Sequence, residues 1–327
     1  MCKVLIIAGI DDKHRDNAIK FTKRMATLMT LGNDDGLGYA AVDKEGNLFA
    51  QRWLKNEHRF LSPVSKSTTI DKLKFFCKNP TKTSIEYTEH GMPDLNKMTA
   101  ITLHTRAATT EVCMKNVHPF IDDDSSVIHN GVIINDDEFK LKLSTCDSES
   151  ILISYLRNNI NTNIGNMDAM AKELIGYYAC GTFSRDKNNN RILDIFKANN
   201  YNLAVGWIDE LNTWVISTSD FNMKEACKDL GFTGYNWSDL NDGFLIRVNP
   251  NTGELLDSKA FAVSNRTKPY VTPAATNNYT RPAKNMSLDL PKTFDNNVID
   301  FLKHKSKIIK FTYQEKLAYL SNQPTGV

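Results

Sequence analysis

The chain has 327 residues, 41% hydrophobic and 24% charged, with a net charge of +2. That composition supports a full apolar core, in one large domain or two ordinary ones, and excludes wholesale disorder. The near-neutral balance excludes a global field that would recruit nucleic acid or a membrane surface, and no apolar run approaches the roughly 18–20 residues that span a bilayer. No basic-then-apolar leader opens the sequence, and the six cysteines (Cys2, Cys77, Cys113, Cys146, Cys180, Cys227) form no C-x-x-C pair. The expectation is a cytoplasmic protein with reduced thiols.

In chain order, Val4–Ala8 reads as a short buried strand. A helix follows over about 12–31, with Ala18, Phe21, Met25 and Leu28 on one face and Gly32 as its stop. Leu37–Val42 and Leu48–Leu54 read as strands joined by a turn at Asp43–Gly46, Ile70–Cys77 as a short helix, and Thr99–His104 as a strand. The apolar stretch Ser126–Ile134 is broken by Asn130-Gly131, a pair that among β-formers signals a tight hairpin turn. Helices are expected at 136–143, 148–160 and 167–176. Strands are expected at about 177–184, 191–198, 201–208, 213–218, 243–249 and 256–263. Strands in two blocks with helices between and around them give a mixed α+β pattern, not a βαβ repeat. Residues 264–292 are rich in Asn, Thr and Pro and read as an extended tail or linker, followed by short helices near 294–305 and 312–320. Lys303, Lys305, Lys307 and Lys310 read as a solvated face.

Chemistry is concentrated at a few points. Cys2 stands directly behind Met1, and removal of Met1 would leave a thiol and a free α-amine on one residue. An α-amine titrates at about 7.7–8.0 and a thiol at about 8.5, so the amine can take the thiol proton near neutral pH. Read alone, Cys2 is equally the start of a buried strand. His104-Thr-Arg-Ala-Ala-Thr-Thr110, Asn116-Val-His-Pro-Phe120, Ser126-Val-Ile-His-Asn-Gly-Val-Ile-Ile-Asn135 and Cys146-Asp-Ser-Glu149 follow downstream. Arg106 is a fork suited to a carboxylate, or a surface arginine at a strand end. Asp147 is a carboxylate for a cation, or a helix N-cap before Ser148. His104, His118 and His129 have no zinc-ligand spacing, and Gly32–Gly38 lacks the Gly-Lys-Ser/Thr of a phosphate loop.

In order and spacing these segments resemble the class II glutamine amidotransferases, N-terminal-nucleophile hydrolases that begin with Cys. The likeness is greatest to the glutaminase domain of glucosamine-6-phosphate synthase and covers roughly residues 2–263. The family patterns are H-T-R-W-A-T-H-G, N-A-H-P-H/F, H-N-G-I-I-x-N and T/S-D-S/T-E. Asp35, Gly38 and Ala40 match a further loop, R-G-x-D-S-x-G-x-A. The resemblance implies a four-layer α/β/β/α sandwich over residues 1–263 with a C-terminal extension over 264–327. It implies hydrolysis of L-glutamine to glutamate and ammonia through a γ-glutamyl thioester on Cys2, with no cofactor and no metal. Asn130 and Gly131 match the oxyanion donors, presented here by the expected turn. Arg106 matches the grip on the substrate α-carboxylate, Asp147 the acceptor of its α-ammonium, and Thr109 a further substrate contact.

The chain departs from the pattern at Gly32-Asn33, where the family has Arg-Gly. It departs again at Lys3, Ala107, Thr110 and Glu111, which changes the rim of the expected pocket. Some sixty residues after the glutaminase-like part are too few for a synthetase fold, so an ammonia-accepting synthetase is expected on a separate polypeptide. An oligomer remains open, as do a stand-alone amidohydrolase and a non-catalytic assembly protein that retains the fold.

Overall fold

The computed structural model describes residues 2–33, 35–54, 85–87, 95–109, 111–122, 124–141, 143–199 and 202–263. The helix expected at Ile70–Cys77, the tail 264–327 with its two helices and lysines, and Thr110 lie outside the described residues.

The chain opens with β1 (Lys3–Ala8), α1 (Arg15–Thr30), β2 (Gly36–Asp43) and β3 (Leu48–Leu54). After β4 (Ile85–Tyr87) come β5 (Met98–Arg106), β6 (Phe120–Asp122) and β7 (Ser125–Ile133). Two helices, α2 (Ser148–Arg157) and α3 (Met167–Glu173), precede β8 (Gly176–Arg185), β9 (Arg191–Ala198), β10 (Ala204–Ile208) and β11 (Thr213–Ser217). The last elements are α4 (Asp220–Leu230), β12 (Tyr235–Asp239), β13 (Phe244–Val248) and β14 (Leu255–Ala260). They form two antiparallel sheets, ordered β12-β10-β11-β1-β5-β2-β3-β4 and β14-β13-β9-β8-β7-β6.

Side-chain alternation turns these sheets into layers, because successive residues of a strand face opposite sides. From β1, Leu5 and Ile7 pack with Phe21, Met25 and Met29 of α1 and with Met223 and Ala226 of α4. Val4, Ile6 and Ala8 turn the other way and join Ile128, Ala179, Phe183 and Ile195 of the second sheet. That sheet's outer face packs Val127, Tyr178 and Phe196 against Ile151, Tyr155 and Met170 of α2 and α3. Three apolar seams separate four layers, giving the expected α/β/β/α sandwich. The sheets meet closely at Gly181, where a Cβ would lie 2.6 Å from Ile6 Cδ1.

Three local expectations are corrected. Asn130-Gly131 is no turn: β7 runs through it, with Asn130 opposite Ala179 and Gly131 opposite Tyr178. Gly131 is there for clearance, since a Cβ would lie 2.0 Å from Tyr177 O and φ is +149°. The segment 136–143 holds only a 3₁₀ turn, Asp136–Glu138, whose three consecutive acidic residues leave no apolar stripe to bury. Helix α4 and strand β12 went unread between 219 and 242. The helix carried signals: Ser219 Oγ accepts from Asn222 N at 3.3 Å, and Gly231 closes the helix at φ +71°.

Candidate functional site

β1 places Cys2. Lys3 pairs with Thr105 and Val4 with His104, so Cys2 continues the strand beside Arg106 at the end of β5. Gly36 of β2 flanks Arg106 on the other side. Because Val4 and Ile6 face the seam between the sheets, the two-residue period turns Cys2 the same way. His104 and Arg106 share the parity of Ala100, which also lines that seam. In the facing sheet Asn130 shares the parity of Ile128. Cys2, Arg106 and Asn130 therefore converge on one end of the seam between the sheets.

The backbone of β7 adds a second donor. Ile133 N–H leaves the sheet to bond Asp147 Oδ2 at 2.8 Å. Alternation sends the N–H of Gly131 to the same edge, away from β8. β6 covers β7 only at Ser125–Val127, so the ladder does not extend along that edge among the described residues.

Asp147 is the N-cap residue of α2, yet its side chain makes no cap bond. Its carboxylate is tied to β7 through Ile133, with Cys146 Sγ 3.4 Å from Oδ1. The surface-arginine alternative falls, because Arg106 is only 3% exposed. Arg106 Nη2 donates to Glu111 O at 3.1 Å. Both charges reach the Cys2 thiol: burial pushes the thiol above its ordinary range, Arg106 lowers it in smaller measure, and Asp147 raises it.

The rim is pinned by hydrogen bonds. Cys2 Sγ lies 3.6 Å from Ala107 O, and Ala108 N donates to Asp35 Oδ2 at 2.9 Å. Asp35 N in turn donates to Arg106 O at 3.1 Å. Buried Asn116 donates to Glu111 O at 3.1 Å and to Thr145 Oγ1 at 3.0 Å, and it accepts from Thr145 N at 3.0 Å. Glu149 accepts from Leu143 N and Ser144 N at 2.8 and 2.7 Å, which sets the approach to Asp147. Thr109 is exposed on the rim. Asn116 belongs to a quoted segment, but its role as a bridge between two loops was missed, because Thr145 lies 29 positions away. Behind the site His104 and His118 stack with ring centroids 3.8 Å apart, and His129 lies 6.5 Å from His118. Burial lowers all three pKa values, His104 to about 3, so the imidazoles are neutral at pH 7. Among the described residues no group of three or more His, Cys, Asp or Glu side chains is arranged to hold a metal ion. No helix there is long and apolar enough to cross a membrane.

No family model and no curated protein matches the sequence. Among solved structures the chain is similar to glutamine phosphoribosylpyrophosphate amidotransferase from B. subtilis, complexed with ADP and GMP, with a TM-score of 0.51 and 16% identity. It is also similar to a structure of the allosteric regulatory enzyme of purine biosynthesis, with a TM-score of 0.52 and 16% identity. The chain shares the fold of these amidotransferase structures. Each match covers 79% of this chain and 49% of the other, so the chain spans about half the length of these amidotransferase neighbours.

Proposed function

We propose that this chain is a glutaminase, hydrolysing L-glutamine to glutamate and ammonia with Cys2 as an N-terminal nucleophile. Once Met1 is removed, the α-amine of Cys2 takes the thiol proton, and the thiolate attacks the side-chain amide carbon. The carbonyl π pair moves onto oxygen, where the Asn130 side-chain amide and the Gly131 N–H stabilise it. As the oxyanion collapses, the C–N bond breaks, the α-ammonium returns its proton to the leaving nitrogen, and ammonia departs from a γ-glutamyl thioester. Water, deprotonated by the same amine, adds to the thioester and releases glutamate and the thiol. Arg106 pairs with the substrate α-carboxylate and Asp147 with its α-ammonium, while Thr109 contacts the substrate at the rim.

The observation that carries this reading is the convergence of Cys2, Arg106 and Asn130 on one end of the seam, with Asp147 in electrostatic reach of the thiol. Ammonia is largely protonated and unreactive near neutral pH, which favours transfer to a docked acceptor over release. The reading puts the glutaminase unit within residues 1–263.

Intact mass should show Met1 removed in active preparations. A diazo-ketone analogue of glutamine should label Cys2 and none of the other cysteines. An uncleavable N-terminal tag should abolish turnover without unfolding the protein, because it converts the base into an amide. Full activity in protein shown by mass to retain Met1 or the tag would refute the mechanism.

A further inference from the structure

His129 and Ser148 lie behind the proposed site, one position from Asn130 and Asp147 respectively, and the reaction gives neither a chemical task. Both are buried, at 2% and 3% exposure. His129 Nδ1 and Ser148 Oγ are 2.8 Å apart. The other ring nitrogen lies against Gly131: a Cβ there would be 2.7 Å from His129 Nε2 and 2.0 Å from Tyr177 O. Ring and carbonyl thus share the space that a side chain at 131 would occupy. Ring and hydroxyl share one hydrogen bond, whose donor is set by the tautomer of the neutral ring.

Two links therefore join β7 to the start of α2. Ile133 N–H holds the Asp147 carboxylate, and His129 holds the next residue of the helix. On β7 they bracket Asn130 and Gly131, and at the start of α2 they hold Asp147 and its neighbour Ser148. We propose that the His129–Ser148 pair is a clasp that sets the spacing between the oxyanion strand and the anchor for the substrate α-ammonium, which makes both positioning residues. The inference rests on the proposed glutaminase reading for its catalytic consequence and on geometry alone for the clasp. A buried pair in a seam that excludes water holds its register more firmly than the exposed rim loops do.

The test uses the full chain with Ser148→Ala, Ser148→Thr and His129→Phe. Ser148→Ala should lower kcat and raise KM for glutamine together, with kcat/KM down ~10-fold or more. Threonine, which keeps the hydroxyl, should restore most of the loss. The Ser148→Ala/His129→Phe double variant should be no worse than the poorer single one, since both remove the same link. Additive losses, no rescue by threonine, or wild-type kinetics in both single variants would overturn the positioning role.

Spectra of ¹⁵N-histidine protein decide the clasp without turnover. One ring, assigned by its loss in His129→Phe, should show a hydrogen-bonded Nδ1 whose signal shifts in Ser148→Ala. A His129 signal indifferent to Ser148→Ala would overturn the clasp. A wild-type protein that shows this signature but no turnover would count against the glutaminase reading and leave the clasp standing.

Discussion

Arg106 and Asn130 reach the seam from opposite sheets, and under the proposed mechanism they meet the substrate at different stages. The Arg106 fork engages the α-carboxylate in the ground state and the transition state alike. Arg106→Lys, which replaces a fork with a point charge, should mainly raise KM. The Asn130 hydrogen bond strengthens only as the oxyanion forms, so Asn130→Ala should lower kcat by about 10²–10³. Steady-state kinetics with glutamine separates the two, and equal losses in kcat with no change in KM would refute the assignment. The sequence singled these residues out because each stands in a compact stretch whose residue types suit the proposed chemistry. Asn130-Gly131 was singled out as a candidate site, and its shape was misread as a turn. Local preference for a turn lost to the ladder with β8, which passes so close that only glycine fits opposite Tyr178.

At the scale of elements, strands carry the site and loops shape its mouth. Asn116 bridges the loop after β5 to the loop before α2 with bonds to Glu111 and Thr145. Asn116→Ala removes its hydrogen bonds to Glu111 O and Thr145, each at a cost of about 0.5–1.5 kcal/mol. Thermal melts should show the lost stability, and kinetics should show a raised KM with kcat less affected. Unchanged KM together with a normal melt would remove Asn116 from the account of the rim. Such bridges were not legible, because nothing local marks Asn116 as the partner of residues on two different loops. The long strands were legible from their period, and α4 was missed although Ser219 and Gly231 bracket it.

At the scale of the whole molecule, the stacked histidines make stability depend on pH. His104, His118 and His129 are buried neutral, and burial holds their folded pKa values below the ordinary 6.5. The unfolded chain therefore binds more protons than the folded one as pH falls below about 6.5, and acid favours unfolding. For His104 the window runs from about 6.5 down to about 3, with a slope approaching about 1.4 kcal/mol per pH unit. Denaturant melts from pH 7.5 to pH 4.5 should show stability falling steadily with pH. His104→Gln should flatten part of that slope, and a pH-independent midpoint would contradict the neutral cluster. The sandwich itself was legible only through the family likeness, since the strand pattern alone reached no further than α+β. Which strands pair is a long-range property that periodicity does not encode.

The position of β1 bears on the order of events during synthesis. It lies between β5 and β11, and Ser217 Oγ donates to Val4 O across 213 positions of sequence. One flank of the first strand thus stays unpaired until β11 has left the ribosome. At about 5–20 residues per second that wait lasts roughly 10–40 s. If Cys2 is the nucleophile proposed above, that interval is available for removing Met1 before the late strand completes the sheet around β1.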